Sequence, residues 1–456
     1  VEQLEKVLGV VSNWAWGWPM LALLLGTHVF LTFRLRLIQR YIPKAIKLSI
    51  TRDEDSQGDI SQFGALTTAL AATIGTGNII GVSTAVAAGG PGAVLWMWLT
   101  GVFGISTKYV EALLAVKYRV QTPNGMSAGG PMYVLERGLG LKWLGLIFAG
   151  FTVVASFGIG NMVQANAIAG SLLTTLSIPR WVTGMVLAIL VAVVVLGGIR
   201  SIARVCEGLV PFMAIAYVGG CLIILALSYR ELPATISLIV TDAFSGTAAI
   251  GGFLGAGMKE AVRFGIARGL FSNESGLGSA PIVAAAARTK NPVRQALVSS
   301  SGTFWDTVVI CLITGLVVVS SGAWQEGLDG ARLTHAAFER LPVLGAWILN
   351  IGLVTFVFST ILGWSYYGEK ACEYLFGVKA VLPYRLLWVV AVMVGATSTL
   401  GIVWAFSDIA NALMALPNLV AVLLLSGVAV AETRRYLWED RLDDEGDPAA
   451  ITTEKS

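Results

Sequence analysis

Charge along this chain is confined to short islands between long apolar runs. Residues 61–107 contain no Asp, Glu, Lys or Arg, and neither do 143–179, 181–199, 208–229, 341–368, 386–407 and 409–431. A helix rises about 1.5 Å per residue, so about 20 residues cross a hydrocarbon core about 30 Å thick. A charge at the centre of such a helix costs about 2.5–3.5 kcal/mol on insertion scales, so uncharged runs of this length predict transmembrane spans. The pattern predicts an all-α membrane protein with eleven spans. They lie near 13–33, 63–86, 92–116, 143–174, 181–198, 208–229, 247–287, 296–321, 345–375, 383–401 and 404–430. No small-residue cleavage pattern follows the first, which reads as a span rather than a removed signal peptide.

Two spans carry internal breaks. The second reads Ala71-Ala72-Thr73-Ile74-Gly75-Thr76-Gly77-Asn78-Ile79-Ile80-Gly81. A glycine inside a helix costs about 1 kcal/mol relative to alanine, and irregular backbone at membrane depth is tolerated only where it is buried or lines a cavity. Close packing through small residues is the competing reading. The glycine spacing differs from a dinucleotide fingerprint, and no strand precedes it. The seventh span holds Lys259, Glu260, Arg263 and Arg268, then Phe271-Ser272-Asn273-Glu274-Ser275-Gly276-Leu277-Gly278 and Pro281. Five spans begin with each break, and the two groups run in opposite senses across the membrane. That is the 5+5 inverted repeat of many secondary transporters, preceded by one extra helix. The organisation expected is 1–62 for the extra helix and a cytoplasmic loop, 63–230 and 247–430 for the two repeats, and 431–456 for a cytoplasmic tail, polar and mobile over 439–456.

Composition narrows the function. Only 13% of the 456 residues are charged and 55% are hydrophobic, against about 25% charged in soluble domains. The mean hydropathy is +0.75. A soluble enzyme, a disordered chain and a nucleic-acid binder are excluded on this ground. Cys206, Cys221, Cys311 and Cys372 and the histidines His28 and His335 have no metal-ligand spacing, and no nucleophile–base or phosphate-loop constellation is present. No enzyme and no cofactor are expected. Of 31 Lys and Arg, 22 fall in segments that a cytoplasmic 34–62 loop places inside, and 5 fall outside. Lys108, Lys259, Arg263 and Arg268 lie within spans. This bias predicts an external N-terminus and a cytoplasmic C-terminus.

The breaks have a definite chemistry. Half-helix N-termini present unpaired N–H groups that suit a carboxylate. Freed carbonyls and hydroxyls suit a hard cation or an ammonium group. A zwitterion and a cation can therefore share one midplane site.

At these residues the chain resembles the sodium:alanine symporter family, the alanine or glycine:cation symporters of the amino acid–polyamine–cation superfamily. The signature reads Gly89-Gly90-Pro91-Gly92-Ala93-Val94-Leu95-Trp96-Met97-Trp98-Leu99-Thr100-Gly101-Val102-Phe103-Gly104. It departs from the family at Leu95 and Gly101. Ala71–Gly81, Gly129–Tyr133, Gly158–Gln164, Gly269–Pro281 and Ser359–Trp364 are also family-like, in order along nearly the whole chain. The resemblance implies a fold of the bacterial leucine-transporter type. It implies a sodium site made by the main-chain carbonyls of Ala71, Ile74 and Phe356 and the hydroxyls of Ser359 and Thr360. The i to i+3/i+4 spacing from Phe356 agrees with this, although both hydroxyls could instead bond their own helix.

For the substrate, the resemblance implies the region of Thr73 and Gly75. The carboxylate meets the Thr76 and Gly77 amides, with Asn78 or Gln164. The ammonium meets the Thr73 carbonyl and Phe271, Ser272 and Asn273, and Trp364 closes a small pocket. Asn161 and Gln164 are one helical turn apart, so at least one can face the cavity, the other reading being a helix–helix hydrogen bond. Intramembrane acids are functional candidates. Lys108 and Glu111, at i,i+3, read as a structural pair. Glu274 either tunes the cation site or holds the break, while Asp306 and Asp408 read as structural bonds near the span ends. Lys259, Arg263 and Arg268 read as lining an external vestibule or as snorkelling. The expected protein is a monomeric, sodium-coupled importer of small neutral amino acids, alanine and glycine, in a prokaryotic inner membrane. Its partners are Na+ as coupling ion and the lipid bilayer. A proton-coupled or uncoupled permease or channel is the alternative.

Overall fold

Where the chain is apolar it is helical. The computed structural model describes residues 2–51, 56–245, 257–328, 330–340, 344–398, 401–446 and 452–453. Among these, eight helices are long and apolar enough to cross a bilayer. A ninth span is the bent pair Gln62–Thr73 and Gly77–Gly89, whose halves meet at 54°. Two expected spans are less regular. The one near 181–198 is the shorter helix Arg180–Val195. The one near 247–287 lies partly outside the described residues. It appears as Gly257–Asn273, a non-helical stretch, and Pro281–Ala284.

Small residues let these helices meet backbone to backbone. A Cβ on Gly265 would stand 2.5 Å from the Ala93 carbonyl, and one on Gly269 2.1 Å from Thr100 Oγ1. The Gly257–Asn273 helix is thereby pressed along Ala93–Lys117. A Cβ on Gly363 would stand 2.7 Å from the Ala72 amide, which presses the long Leu344–Phe376 helix against the first break. Among the described residues five segments widen into π turns, at Gly77–Gly81, Val134–Gly138, Ser156–Met162, Phe304–Cys311 and Arg434–Trp438. Such turns free backbone groups and often stand at functional sites. Nothing in the apolar pattern announces them.

Some elements lie outside the predicted spans. Leu232–Ser245 and Gly330–Phe338 are helices where loops were expected. The latter packs on the Val82–Gly89 helix that follows the first break, with Thr334 Oγ1 donating to Ser83 Oγ at 2.7 Å. The C-terminal tail departs from the mobile segment expected over 439–456. Asn291 Nδ2 donates to the carbonyls of Leu442 (2.9 Å) and Asp444 (3.0 Å), and Arg294 pairs with Asp443 at 2.6 Å.

One mouth between the two breaks, the one the basic-residue bias assigns to the cytoplasm, is stitched shut. Asp59 N donates to Ala286 O and Arg288 N to Ile60 O, each at 2.8 Å. Arg119 donates to Ala287 O (2.8 Å), Gln57 O (3.1 Å) and Ala285 O (3.2 Å). Gly58, at φ 146°, has no room for a side chain, because a Cβ would lie 2.4 Å from the Ala287 carbonyl. Burial pushes the Asp59 carboxyl up from its usual 3.8, against the pull of the Ser127 amide and nearby basic groups. Burial also pushes the Arg119 guanidinium down to about 10.

Candidate functional site

The first break begins where the Gln62–Thr73 helix ends. Ile74 turns to an extended conformation (ψ 94°), and helical geometry resumes at Thr76. Asn78 holds this shape. Its Oδ1 accepts from Gly75 N at 2.9 Å and its Nδ2 donates to Asp306 Oδ1 at 2.7 Å. Thr76 and Gly77 carry the first amides of the second half-helix, positions whose N–H groups a helix leaves without a carbonyl.

The second break opens at Glu274, which adopts φ 55°, followed by Gly276 at 90° and Gly278 at 84°. These are left-handed conformations that glycine adopts freely and glutamate does not. Glu111 Oε1 accepts from Gly276 N (3.0 Å), Gly278 N (3.1 Å) and Asn418 Nδ2 (2.6 Å). No direct Lys108–Glu111 ion pair forms. The carboxylate is engaged by the break, and Lys108 Nζ is buried with no hydrogen-bond partner among the described residues.

Asp306 also differs from expectation. It sits fully buried between the two breaks rather than near a span end, accepting from Asn78, from Ser272 Oγ at 3.0 Å and from Thr307 Oγ1 at 2.6 Å. Its lone charge inside an apolar span was the signal available in sequence. Asp408 makes structural bonds to the N-terminal helices, bonded by the Ser12 hydroxyl, with Trp16 Nε1 donating to its carbonyl at 3.3 Å. Arg263 pairs with Glu260 at 3.7 Å, and Arg268 lies over the Phe271 ring at 5.9 Å.

Between the breaks is a small cavity, with about 20 Å³ of room for the centre of a water-sized sphere. Thr73, Gly75, Thr76 and Gly77 line one side, and Gln164, Phe271 and Trp364 line others. Trp364 is wedged against Gly160, where a Cβ would lie 2.4 Å from its own. Three expected residues do not line this cavity. Asn78 and Ser272 turn to Asp306, and Asn273 accepts from Ser275 N at 2.9 Å with its Oδ1. Ala72, Ile159, Glu274 and Asn411 line it unforeseen. Asn161 makes the helix–helix bond, Nδ2 to Trp388 O at 2.9 Å.

Beside the cavity five oxygens gather. Ser359 Oγ lies 2.7 Å from Phe356 O and 3.2 Å from Ala71 O. Thr360 Oγ1 lies 3.0 Å from Phe356 O and 3.4 Å from Ile74 O. Two hydroxyl protons face three carbonyls, so the cluster has acceptors in surplus. An all-oxygen, uncharged set of this kind fits a hard monovalent cation. Gly75 is needed here, since a Cβ would stand 2.6 Å from Thr360 Oγ1.

The comparison that decides the family covers almost the whole chain: the model of the sodium:alanine symporter family matches residues 1–449. The chain belongs to the sodium:alanine symporter family. It is 51% identical over 442 residues to the sodium/alanine symporter AgcS of Methanococcus maripaludis, covering 94% of this chain and 97% of that one. It is 35% identical to the probable sodium/glutamine symporter GlnT of Bacillus subtilis, over 95% and 91% of the two chains. Among solved structures it superposes on MhsT in complex with L-phenylalanine with a TM-score of 0.58 at 16% identity, covering 85% of this chain and 95% of MhsT. That likeness shows that this chain shares the fold of MhsT. Members of the family are transporters, so this chain is not an enzyme.

Proposed function

We propose that this protein is a sodium-coupled symporter that imports alanine and glycine by alternating access. The observation that carries the reading is Thr360, which belongs both to the five-oxygen cluster and to the cavity wall. An ion among the oxygens of Ala71, Ile74, Phe356, Ser359 and Thr360 fixes the first break against the Leu344–Phe376 helix. It thereby shapes the cavity that takes the amino acid. The carboxylate is received by the Thr76 and Gly77 amides, aided by the half-helix dipole. Thr73 and Phe271 provide main-chain carbonyls near the ammonium. Trp364, Phe271 and Ile159 leave space for hydrogen or methyl, and the small cavity supports alanine rather than the larger substrate named for GlnT. The similarity to AgcS favours sodium over protons.

The same reading assigns eleven spans, with 1–62 leading, 63–230 and 247–430 as inverted halves, and a tail over 431–456. The N-terminus faces outward and the C-terminus faces the cytoplasm of a prokaryotic inner membrane, with a monomer as the working unit.

Uptake of labelled alanine into proteoliposomes tests the proposal. An inward sodium gradient should drive accumulation, and Thr360→Ala should raise the sodium concentration for half-maximal uptake by up to about tenfold, the scale of one neutral polar contact. Accumulation driven equally by a proton gradient without sodium would overturn it.

A further inference from the structure

Three side chains on the wall of the cavity have no role in the sodium cluster or in the half-helix amides. Gln164 is oriented by its own nitrogen, which donates to Ile159 O at 2.9 Å. That leaves Oε1 buried with no partner among the described residues. Asn411, from the Gly401–Leu424 helix, is 2% exposed, and its Oδ1 is likewise unpartnered. Glu274, 3% exposed, is held by the Ser279 hydroxyl and lines the cavity together with Trp364. Its left-handed backbone (φ 55°) is a conformation a glutamate adopts only where surrounding structure imposes it.

These three come from separate elements and line one void with room for little more than a water. A ligand filling this void is therefore placed to meet them. The described lining contains no Lys, Arg or His. The wall thus offers a carboxylate and two unused amide oxygens, and leaving such buried acceptors without donors is unfavourable. A ligand that suits it brings several N–H donors and a positive charge.

We propose that Glu274, with the amide oxygens of Gln164 and Asn411, receives the ammonium group of the transported amino acid. The assignment rests on the symport reading above and deepens it. The carboxylate of the substrate lies at the Thr76 and Gly77 amides, and its ammonium lies towards Glu274, so the two ends of the zwitterion are read by opposite charges. Neutral main-chain carbonyls alone would separate an amino acid from its hydroxy acid weakly. A buried carboxylate separates them strongly, because a hydroxyl brings one donor and no charge.

L-Alanine and L-lactate differ only at that group, and their binding to the purified protein in lipid nanodiscs tests the proposal. Both are measured in sodium for the wild type, Glu274→Gln and Asn411→Leu, with sodium binding measured alone as a control. Glu274→Gln should lower alanine affinity, spare lactate, and reduce the alanine-over-lactate ratio by about tenfold or more. Sodium binding without substrate should be unchanged. Asn411→Leu should reduce the ratio in the same direction by a smaller factor, and it carries the test if the Glu274 variant fails to fold. Equal losses for both ligands, or a shifted sodium affinity with an unchanged ratio, would overturn the ammonium assignment and leave the symport reading standing. Absence of sodium-dependent alanine binding in the wild type would overturn both.

Discussion

Two glycines two residues apart do different work. Gly75 faces Thr360 Oγ1 at a distance no Cβ tolerates, whereas a Cβ on Gly77 would meet Phe271 and Ser272 at an ordinary 3.5 Å. Gly75→Ala should therefore raise the sodium concentration for half-maximal uptake by about tenfold or abolish transport, and Gly77→Ala should keep a near-normal sodium dependence. Trp364→Ala should relax the exclusion of leucine and valine by roughly 10–200-fold, since one methylene in a pocket is worth about 1–3 kcal/mol. Competition of unlabelled leucine against alanine uptake reads this, and an unchanged preference in a folded variant would make Trp364 ordinary core. At this scale the sequence was legible where chemistry is local. Ser359 and Thr360 share a helix face with Phe356, and their oxygens do meet those of Ala71 and Ile74. It was not legible where the partner is remote. Asn78 and Ser272 looked like substrate ligands, but both turn to Asp306, 228 and 34 residues away. Polar residues in a break need partners, and spacing alone does not say which.

Among elements, the second break depends on one side chain from a neighbouring helix. Glu111 Oε1 accepts two break amides and the Asn418 amide. Glu111→Ala strands three buried donors, each costing about 1–3 kcal/mol, and should prevent folding or lower the melting temperature sharply. Glu111→Gln keeps an acceptor and should be the milder change, by fluorescence-monitored thermal unfolding in detergent. Glycine density and stray polar residues announced both breaks, because an uninterrupted lipid-facing helix has no use for them. The Gly330–Phe338 helix escaped notice because its nine residues are too few to show a membrane pattern. Glu111 was misread for a related reason: i,i+3 spacing makes a pair with Lys108 possible, but a neighbouring break with unpaired amides competes for the same carboxylate.

For the whole molecule, the mouth between the two breaks is closed, and Asp59 makes that closure sensitive to pH. Burial raises its pKa, so the closed form holds the protonated acid better than open water does. The contribution is present below the ordinary value of 3.8 and is lost as pH rises through the raised value. Asp59→Asn removes this loss while keeping an acceptor for the Ser127 amide, which reaches Asp59 Oδ2 at 2.8 Å. The stability difference should grow in favour of the variant as pH rises from about 4 to 7, measured by thermal unfolding. A constant difference would mean that Asp59 does not titrate with closure.

The same mouth is laced by main-chain bonds, Asp59 N to Ala286 O and Arg288 N to Ile60 O. Any passage between these segments must break them, so on the proposed alternating-access reading those two amides keep time for the transport cycle. Their deuterium uptake then counts the fraction of molecules open at this mouth, with no label attached. On the proposed reading, sodium held by Ala71, Ile74, Phe356, Ser359 and Thr360 favours the arrangement in which the bonds are made. At ten times its Kd it should slow exchange at Asp59 and Arg288 by about tenfold, while amides on the lipid-facing rim stay unaffected.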